Sequence, residues 1–183
     1  MRAQQRPTGI PELPLGLRAL RTAPRDVLGR PLASWVKRLF ALLVDFLILS
    51  FVLREFGLEV FPAVLTSTSN SPAPSDQILQ FFGVCALAWI AYLGFTASSK
   101  RGQTLGMMLY GIAVRDERSG GQVRVARATI RSVILIALSG VFVDALWPLW
   151  DTKRQSFHDK AARTVVVDMR LADLAERLPP GVL

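Results

Sequence analysis

Three long apolar segments, separated by polar and basic stretches, dominate the hydrophobic pattern of the chain. The first runs from about 35 to 56, and its residues 39–53 are apolar except for Asp45 and Ser50. The second, at about 78–97, has no charged side chain. Because about twenty mainly apolar residues cross the hydrocarbon core of a bilayer, each segment is predicted to be a transmembrane helix.

The third apolar segment, at about 130–150, is less regular than the other two. It contains Asp144, the pair Ser139-Gly140 and, near its end, Pro148. Proline and glycine break or kink a helix unless neighbouring protein satisfies the freed backbone groups. The segment is therefore either a kinked span or two short helices that enter and leave the membrane by the same face. We favour this second, re-entrant form.

Short β-branched runs lie outside the apolar segments. Residues 111–116 and 122–126 alternate apolar and polar around Ser119-Gly120-Gly121, a pattern that predicts a β-hairpin. The run TVVVD at 164–168 would supply a third strand, which such a hairpin needs for stability. The predicted fold is an all-α integral membrane protein: two clear transmembrane helices, a third broken or re-entrant segment, and a small cytoplasmic β-hairpin or three-stranded element.

Charge distribution predicts the orientation of these segments. The chain has a net charge of +8 although 51% of its residues are hydrophobic. Lys and Arg number eight in residues 1–38, one in 54–77, seven in 100–131 and six in 151–183. Since basic loops stay in the cytoplasm, the N-terminus and the C-terminus are predicted to be cytoplasmic and the 54–77 loop to lie outside. The predicted location is the cell (plasma) membrane.

Several function classes are disfavoured by the sequence. Nucleic-acid binding is not expected, because no groove-reading motif or basic–aromatic pattern accompanies the charge. The single cysteine, Cys85, lies in an apolar run, which argues against a disulfide framework or a metal cluster. The single histidine, His158, has no second metal ligand nearby in sequence. No Ser-His-Asp order, catalytic carboxylate pair or dinucleotide loop is present, so we expect a non-enzymatic protein without a cofactor.

The organisation along the chain follows from these segments. Residues 1–33 are expected to form a mostly disordered basic arm, residues 34–168 the membrane domain, and residues 169–183 a C-terminal tail. The expected partners are the lipid bilayer and either a second copy of the chain or another membrane protein.

Four motifs carry a resemblance to a known family. They are SWVKRLFALLVDFLIL at 34–49, SSKRGQTLGMMLYGIAV at 98–114, an arginine at the start of the third segment, and KRQSFHDKAARTVVV at 153–167. In this order and spacing the chain resembles the RDD family of prokaryotic membrane proteins, named for one arginine and two aspartates. The resemblance covers about 34–168 and implies that Arg38, Asp45 and Asp159 are the family-motif residues.

Two positions depart from the family pattern. Met107 and Met108 follow T-L-G where a basic residue is usual, and Arg163 replaces the usual glycine of A-G-T. The segment GQTLG is predicted to be a turn that leads an amphipathic helix, 105–110, onto the inner leaflet.

The polar residues of the apolar segments leave two functions open. Asp45 either hydrogen-bonds to a neighbouring helix or to Arg131 and fixes packing, or it takes part in transport. Asp144 is expected to pair with Lys153 or Arg154, and Asp159, next to His158, to cap or hydrogen-bond the segment before 164–168. The first hypothesis is a membrane-anchored structural or interaction module. The alternative is an oligomeric cation or proton transporter, since some RDD members have been linked to cation/proton exchange.

Overall fold

A computed structural model of the protein describes residues 20–55, 75–138 and 143–178. The helices are α1 (Trp35–Glu55), α2 (Ser75–Ser98), α3 (Leu105–Tyr110), α4 (Val125–Ala137), α5 (Val143–Leu146), a 3-10 turn (Trp147–Leu149), α6 (Phe157–Ala162) and α7 (Met169–Arg177). The strands are β1 (Ile112–Asp116) and β2 (Thr164–Asp168). The protein is therefore mostly helical, with a small antiparallel sheet.

The two longest helices coincide with the first two apolar segments. α1 packs against α3, and α2 packs along α4. Among the residues that the structure describes, no helix has the length and apolar character that a membrane crossing requires. The predicted outer loop, 54–77, lies mostly outside the described residues.

The sheet pairs segments that are far apart in the sequence. β1 and β2 are antiparallel, with Ile112 opposite Asp168 and Asp116 opposite Thr164. The strands predicted at 111–116 and 164–168 are thus confirmed. The predicted strand at 122–126 is wrong, and with it the hairpin and the three-stranded element.

Residues 122–126 fail to form a strand because the chain turns and enters a helix there. The turn itself exists, since the Asp116 N–H donates to Gly121 O at 3.0 Å and the Gly120 N–H to Asp116 O at 2.8 Å. α4 then begins at Val125 and buries Ala128, Arg131 and Ser132, which share one helical face. Two alternating valines were too short a pattern to separate a strand from this helix.

The arm expected to be disordered contains a packed segment. Leu20, Leu32 and Ala33 are buried, Leu32 forms a β-bridge with Val167, and the Ala33 N–H donates to Val166 O at 2.8 Å. The expectation therefore needs correction for residues 20–33, of which 31–33 bond to the edge of β2. Residues 1–19 lie outside the described part of the chain.

The GQTLG motif leads into a helix, as predicted. Thr104 caps α3 by accepting a hydrogen bond from the Met107 N–H, and the helix ends at Gly111 in the left-handed conformation, with φ of 64°. The third apolar segment divides into α4 on one side and α5 with the 3-10 turn on the other. Between them, residues 139–142 lie outside the described residues.

Candidate functional site: two buried carboxylates

The first polar group, here called the Asp159 cluster, consists of Arg38, Arg131, Asp144, Ser156, His158 and Asp159. Asp159 lies in the first turn of α6, and Arg38 and Arg131 reach it from α1 and α4. Arg38 Nη1 donates to Asp159 Oδ2 at 2.9 Å, and Arg131 Nε donates to Oδ1 at 2.9 Å. One carboxylate therefore holds three helices together.

Two hydroxyl groups complete the surroundings of Asp159. Ser156 Oγ donates to Oδ2 at 3.0 Å and Thr164 Oγ1 to Oδ1 at 3.2 Å. Burial alone would raise the pKa of Asp159, but the positive charge of Arg131, together with His158 and Arg38, outweighs it and holds that pKa well below its usual range. Asp159 is therefore a fixed anion at neutral pH. The predicted bond to the segment before β2 exists, but the two arginines are additional partners.

Asp144 pairs with His158, which corrects the expectation that it pairs with Lys153 or Arg154. Its carboxylate lies 2.6 Å from His158 Nδ1 and also accepts the His158 backbone N–H at 3.2 Å. Lys153 instead pairs with Glu117, at 2.8 Å, on the turn after β1. Asp144 therefore ties α5 to the start of α6, a tertiary contact that sequence proximity to basic residues could not indicate.

Ser156, His158 and Asp144 are brought together, but not as a nucleophile with its base. Ser156 Oγ is 2.9 Å from His158 Nε2 and 3.1 Å from Nδ1, so it lies beside the ring rather than along the direction of one nitrogen. Its hydroxyl also donates to Asp159. An activated serine needs its hydroxyl directed at the base, and this hydroxyl is directed at a second carboxylate.

The second polar group, here called the Asp45 junction, consists of Asp45, Tyr92, Thr104 and Gly106. Tyr92 Oη donates to Asp45 Oδ1 at 2.7 Å, and the Gly106 N–H donates to the same oxygen at 2.8 Å. Thr104 Oγ1 donates to Oδ2. The carboxylate of α1 is thus bound by α2 and by the start of α3. It is bound by neutral donors, not by the Arg131 named as one possible partner.

Gly106 lets α3 approach α1 closely enough to make this junction. A Cβ at position 106 would overlap the Ala41 carbonyl oxygen and would stand 3.0 Å from the Asp45 carboxyl carbon. Glycine is therefore required by close backbone approach, and the T-L-G sequence supplies the cap, the approach and two donors to Asp45 together.

Asp45 and the Asp159 cluster line one cavity of about 90 Å³. Its apolar walls come from α1, α2, α3, α4, the 3-10 turn and β2, and its polar lining comes from Asp45 and the Asp159 cluster. The apolar lining residues are Trp35, Leu39, Leu42, Leu93, Met107, Leu135, Pro148 and Val166. Arg38 and Asp45 thus do face one internal seam, although no salt bridge joins them.

The site contains residues that the sequence interpretation did not single out. Tyr92 and Thr164 had no signal, because a single hydroxyl in an apolar or β-branched run is common, and Ser156 had none because it lies in a polar, basic stretch. Thr104 had such a signal, since a threonine directly before a helical segment is a normal helix cap. In the part of the chain that the structure describes, no group of three or more His, Cys, Asp or Glu side chains is arranged to hold a metal ion.

Comparison with known proteins gives one finding. The sequence model described as the RDD family matches residues 32–163, which include both polar groups. Neither the curated proteins nor the solved structures gave a match to this chain.

Proposed function

Since the chain belongs to the RDD family, we propose that it is a multi-pass protein of the cell membrane and acts there as a non-enzymatic structural or interaction module. The observation that carries this proposal is the bonding of two of its buried carboxylates. Asp45 and Asp159 each accept bonds from at least two other segments of the chain. Polar groups used in this way fix helix packing.

Exposed apolar surface supports the membrane part of the proposal. One face of α1 carries five large side chains that are between 46 and 67% exposed: Val36, Phe40, Leu43, Leu47 and Phe51. α3 extends this surface with Leu105, Met108 and Leu109, and its Tyr110 stacks on Phe40 with ring centroids 6.1 Å apart. A contiguous apolar surface of this kind suits lipid or a protein partner in the membrane better than water.

Ion pairs support a topology with both ends on the cytoplasmic side. Arg38 pairs with Asp159 at 2.9 Å, and Lys37 pairs with Asp168 at 2.5 Å. Both pairs join the start of α1 to the C-terminal part of the chain. Because that start follows a basic segment, the positive-inside rule assigns it, and with it β2, to the cytoplasm.

A second candidate function, an oligomeric cation or proton transporter that uses Asp45, is favoured by one observation. The cavity is lined both by Asp45 and by the Asp159 cluster. Ionisable groups around an internal space are typical of ion pathways. Against this candidate, Asp45 already accepts three hydrogen bonds, which leaves its carboxylate engaged in packing.

Two substitutions of Asp45 separate these functions. Asn keeps the shape of Asp and its hydrogen bonding but cannot ionise, whereas Leu removes both. For a packing role, Asp45→Asn should leave the purified protein assembled in detergent, and Asp45→Leu should loosen it. The exposed Asp173→Asn serves as the control. If Asp45→Asn stays assembled but abolishes a cation-dependent pH change in proteoliposomes, the transporter replaces the module.

Cysteine labelling tests the topology. With Cys85 replaced by Ser, a cysteine at the exposed position Ala161 should resist an impermeant thiol reagent in intact cells and react after the membrane is opened. A cysteine at Ser69, in the predicted outer loop, should react in intact cells. Labelling of position 161 in intact cells would place the C-terminal segment outside and refute the same-side topology.

A further inference from the structure

A group of basic side chains at the end of α2 has no acidic partner. Lys100 and Arg101 follow the helix, Arg115 lies in β1 and Arg124 precedes α4; the four are here called the basic patch. Lys100, Arg101 and Arg124 are exposed. Within the part of the chain that the structure describes, none of the four forms an ion pair. Four positive charges are therefore left uncompensated at this end of the molecule.

Two contacts bring the members of the basic patch together from separate parts of the chain. Arg115 Nη1 donates to Lys100 O at 3.5 Å. Gln122 Nε2 donates to Ser98 O at 2.6 Å, which places the start of α4, and with it Arg124, beside the end of α2. The patch is therefore assembled by the fold and is larger than the Lys-Arg pair that the sequence shows.

Two carboxylates near the basic patch are already paired with other arginines. Asp26, whose negative charge reaches Arg115, is bound by Arg30 at 2.6 Å. Asp116, at the end of β1, is bound by Arg127. Since neither carboxylate is available to the patch, its counter-charge has to come from a partner.

Exposed apolar side chains adjoin the basic patch. Leu105, at the start of α3, is 51% exposed, and its N–H donates to Tyr92 Oη at 3.1 Å. Phe95, which lies about one turn after Tyr92 on α2, is 79% exposed. A surface on which unpaired cations border apolar side chains suits an anionic lipid, which has a charged headgroup and apolar tails.

We propose that the basic patch binds the phosphate headgroup of an anionic phospholipid of the inner leaflet, whose acyl chains lie against Phe95 and Leu105. The inference rests on the membrane location proposed above. In that topology α2 ends on the cytoplasmic side, where the negative surface of the membrane attracts basic segments next to a transmembrane helix. A free phosphate would use the charges alone and would leave the exposed apolar side chains without a role in binding.

Lipid binding to the whole purified protein tests the site. Native mass spectrometry in detergent counts bound dioleoyl phosphatidylglycerol, which is anionic, and dioleoyl phosphatidylcholine, which has the same acyl chains and no net charge. Since each basic residue near an anionic surface contributes about fivefold in affinity, phosphatidylglycerol should bind at least about tenfold more tightly. Added salt should reduce this preference, because it screens exposed charges.

Two double variants locate the site. Lys100→Gln/Arg101→Gln should lower the affinity for phosphatidylglycerol by about tenfold or more. Arg118→Gln/Arg163→Gln removes the same charge from two other exposed positions and should leave that affinity unchanged. All four side chains are exposed, so neither double variant disturbs the buried core.

Two exposed leucines test the contact with the acyl chains. Leu105→Ala should weaken phosphatidylglycerol binding by about threefold or more, because it removes apolar surface beside the basic patch. Leu87, which is 67% exposed in the middle of α2, is the matched control. Leu87→Ala should leave the affinity unchanged.

Four results would overturn the proposal. Equal affinity for the two lipids would refute an anionic ligand, and equal loss in the two double variants would assign the preference to net charge and not to the basic patch. Equal affinity of Leu105→Ala and the parent would remove the acyl contact. Equal binding of glycerophosphoglycerol, the headgroup without acyl chains, would replace the lipid by a soluble phosphate. The membrane module is tested separately, by Asp45 variants and cysteine labelling, so failure of either proposal can be recognised.

Discussion

Asp159 and Asp45 are equally buried, with 1% of each residue exposed, but their carboxylates have different kinds of partner. Two guanidinium groups, from Arg38 and Arg131, bind Asp159. Asp45 is bound by two hydroxyl groups and one backbone N–H. The negative charge of Asp159 is thus neutralised by positive side chains. The carboxyl group of Asp45 is instead surrounded by uncharged hydrogen-bond donors.

This difference determines what each site tolerates. In the Asp159 cluster the ion pairs are mutual, so removal of one partner leaves the other charges buried without compensation. In the Asp45 junction the donors are neutral, so a neutral acceptor of the same shape can replace the carboxylate. The junction depends instead on the close approach of α3 to α1, which only a glycine permits.

The largest expected effect is that of Asp159→Asn. The variant leaves Arg38 and Arg131 buried without their counter-ion, which should lower the free energy of unfolding by about 3–5 kcal/mol. A denaturing-detergent titration measures it. Asp173→Asn, which breaks an exposed pair with Arg177, is the control and should change stability by less than about 1 kcal/mol. Similar losses in both variants would remove the distinction between buried and exposed pairs.

Acidification should remove the stability that the ionised Asp159 contributes. Because the pKa of Asp159 lies well below its usual range, held there by Arg131, His158 and Arg38 against the effect of burial, its ionised form stabilises the folded state. That contribution is complete above the unfolded pKa, about 4, and is lost as the pH falls through the lower folded pKa. The stability difference between the parent and Asp159→Asn should therefore be constant above about pH 5 and narrow below it. A difference that widens on acidification would contradict this sign.

Gly106→Ala should cause the next largest loss of stability. Its methyl group would overlap the Ala41 carbonyl oxygen and push α3 away from α1. We expect a loss of about 1–3 kcal/mol, together with weaker bonds to Asp45. Gly83→Ala is the matched control, since a Cβ there has no atom within 4 Å. If both variants are equally stable, α3 does not depend on this approach.

Asp45→Asn should cost less, about 1 kcal/mol. The amide oxygen can still accept from Tyr92 and Gly106, and the amide N–H can donate to the Thr104 hydroxyl in place of the bond that Asp45 accepted. If the two carboxylates differ as described, the loss of unfolding free energy in Asp45→Asn should be clearly smaller than the loss in Asp159→Asn in the same titration. Equal losses would mean that charge matters as much at the junction as in the cluster.

Arg163→Gly should stabilise the protein by up to about 1 kcal/mol. Arg163 ends α6 in the left-handed conformation, with φ of 51°, which glycine adopts without strain. Its carbonyl, which accepts the Glu117 N–H at 3.1 Å, is kept in the variant. Arg118→Gly, at an exposed turn position without positive φ, is the control. A loss of stability in Arg163→Gly would show that the arginine side chain contributes more than the strain it causes.

The helices and strands that were predicted correctly are those marked by a local pattern of residues. The apolar segments at 35–56 and 78–97 form α1 and α2, the GQTLG motif leads into α3, and the β-branched run at 164–168 forms β2. The strand predicted at 122–126 was wrong because Val123 and Val125 alternate over too few residues to define a strand. The buried face of the helix that forms instead, Ala128, Arg131 and Ser132, can be recognised only from its tertiary contacts.

The site was predictable in its residues but not in its pairing. The family motif indicates Arg38, Asp45 and Asp159, and the structure places two of these in one ion pair and the third in a separate junction. Pairing of Asp144 with His158 depends on how α5 lies against α6, and the role of Tyr92 depends on how α2 lies beside α1. Both are consequences of tertiary packing, which spacing along the chain does not encode.

The ion pairs at the start of α1 can form only after the C-terminal part of the chain has been synthesised. Arg38 lies 121 residues before its partner Asp159, and Lys37 lies 131 residues before Asp168. Throughout most of synthesis, therefore, the first helix carries cationic groups whose counter-ions have not yet been translated. A product truncated before residue 159 therefore keeps both cationic groups without their counter-ions.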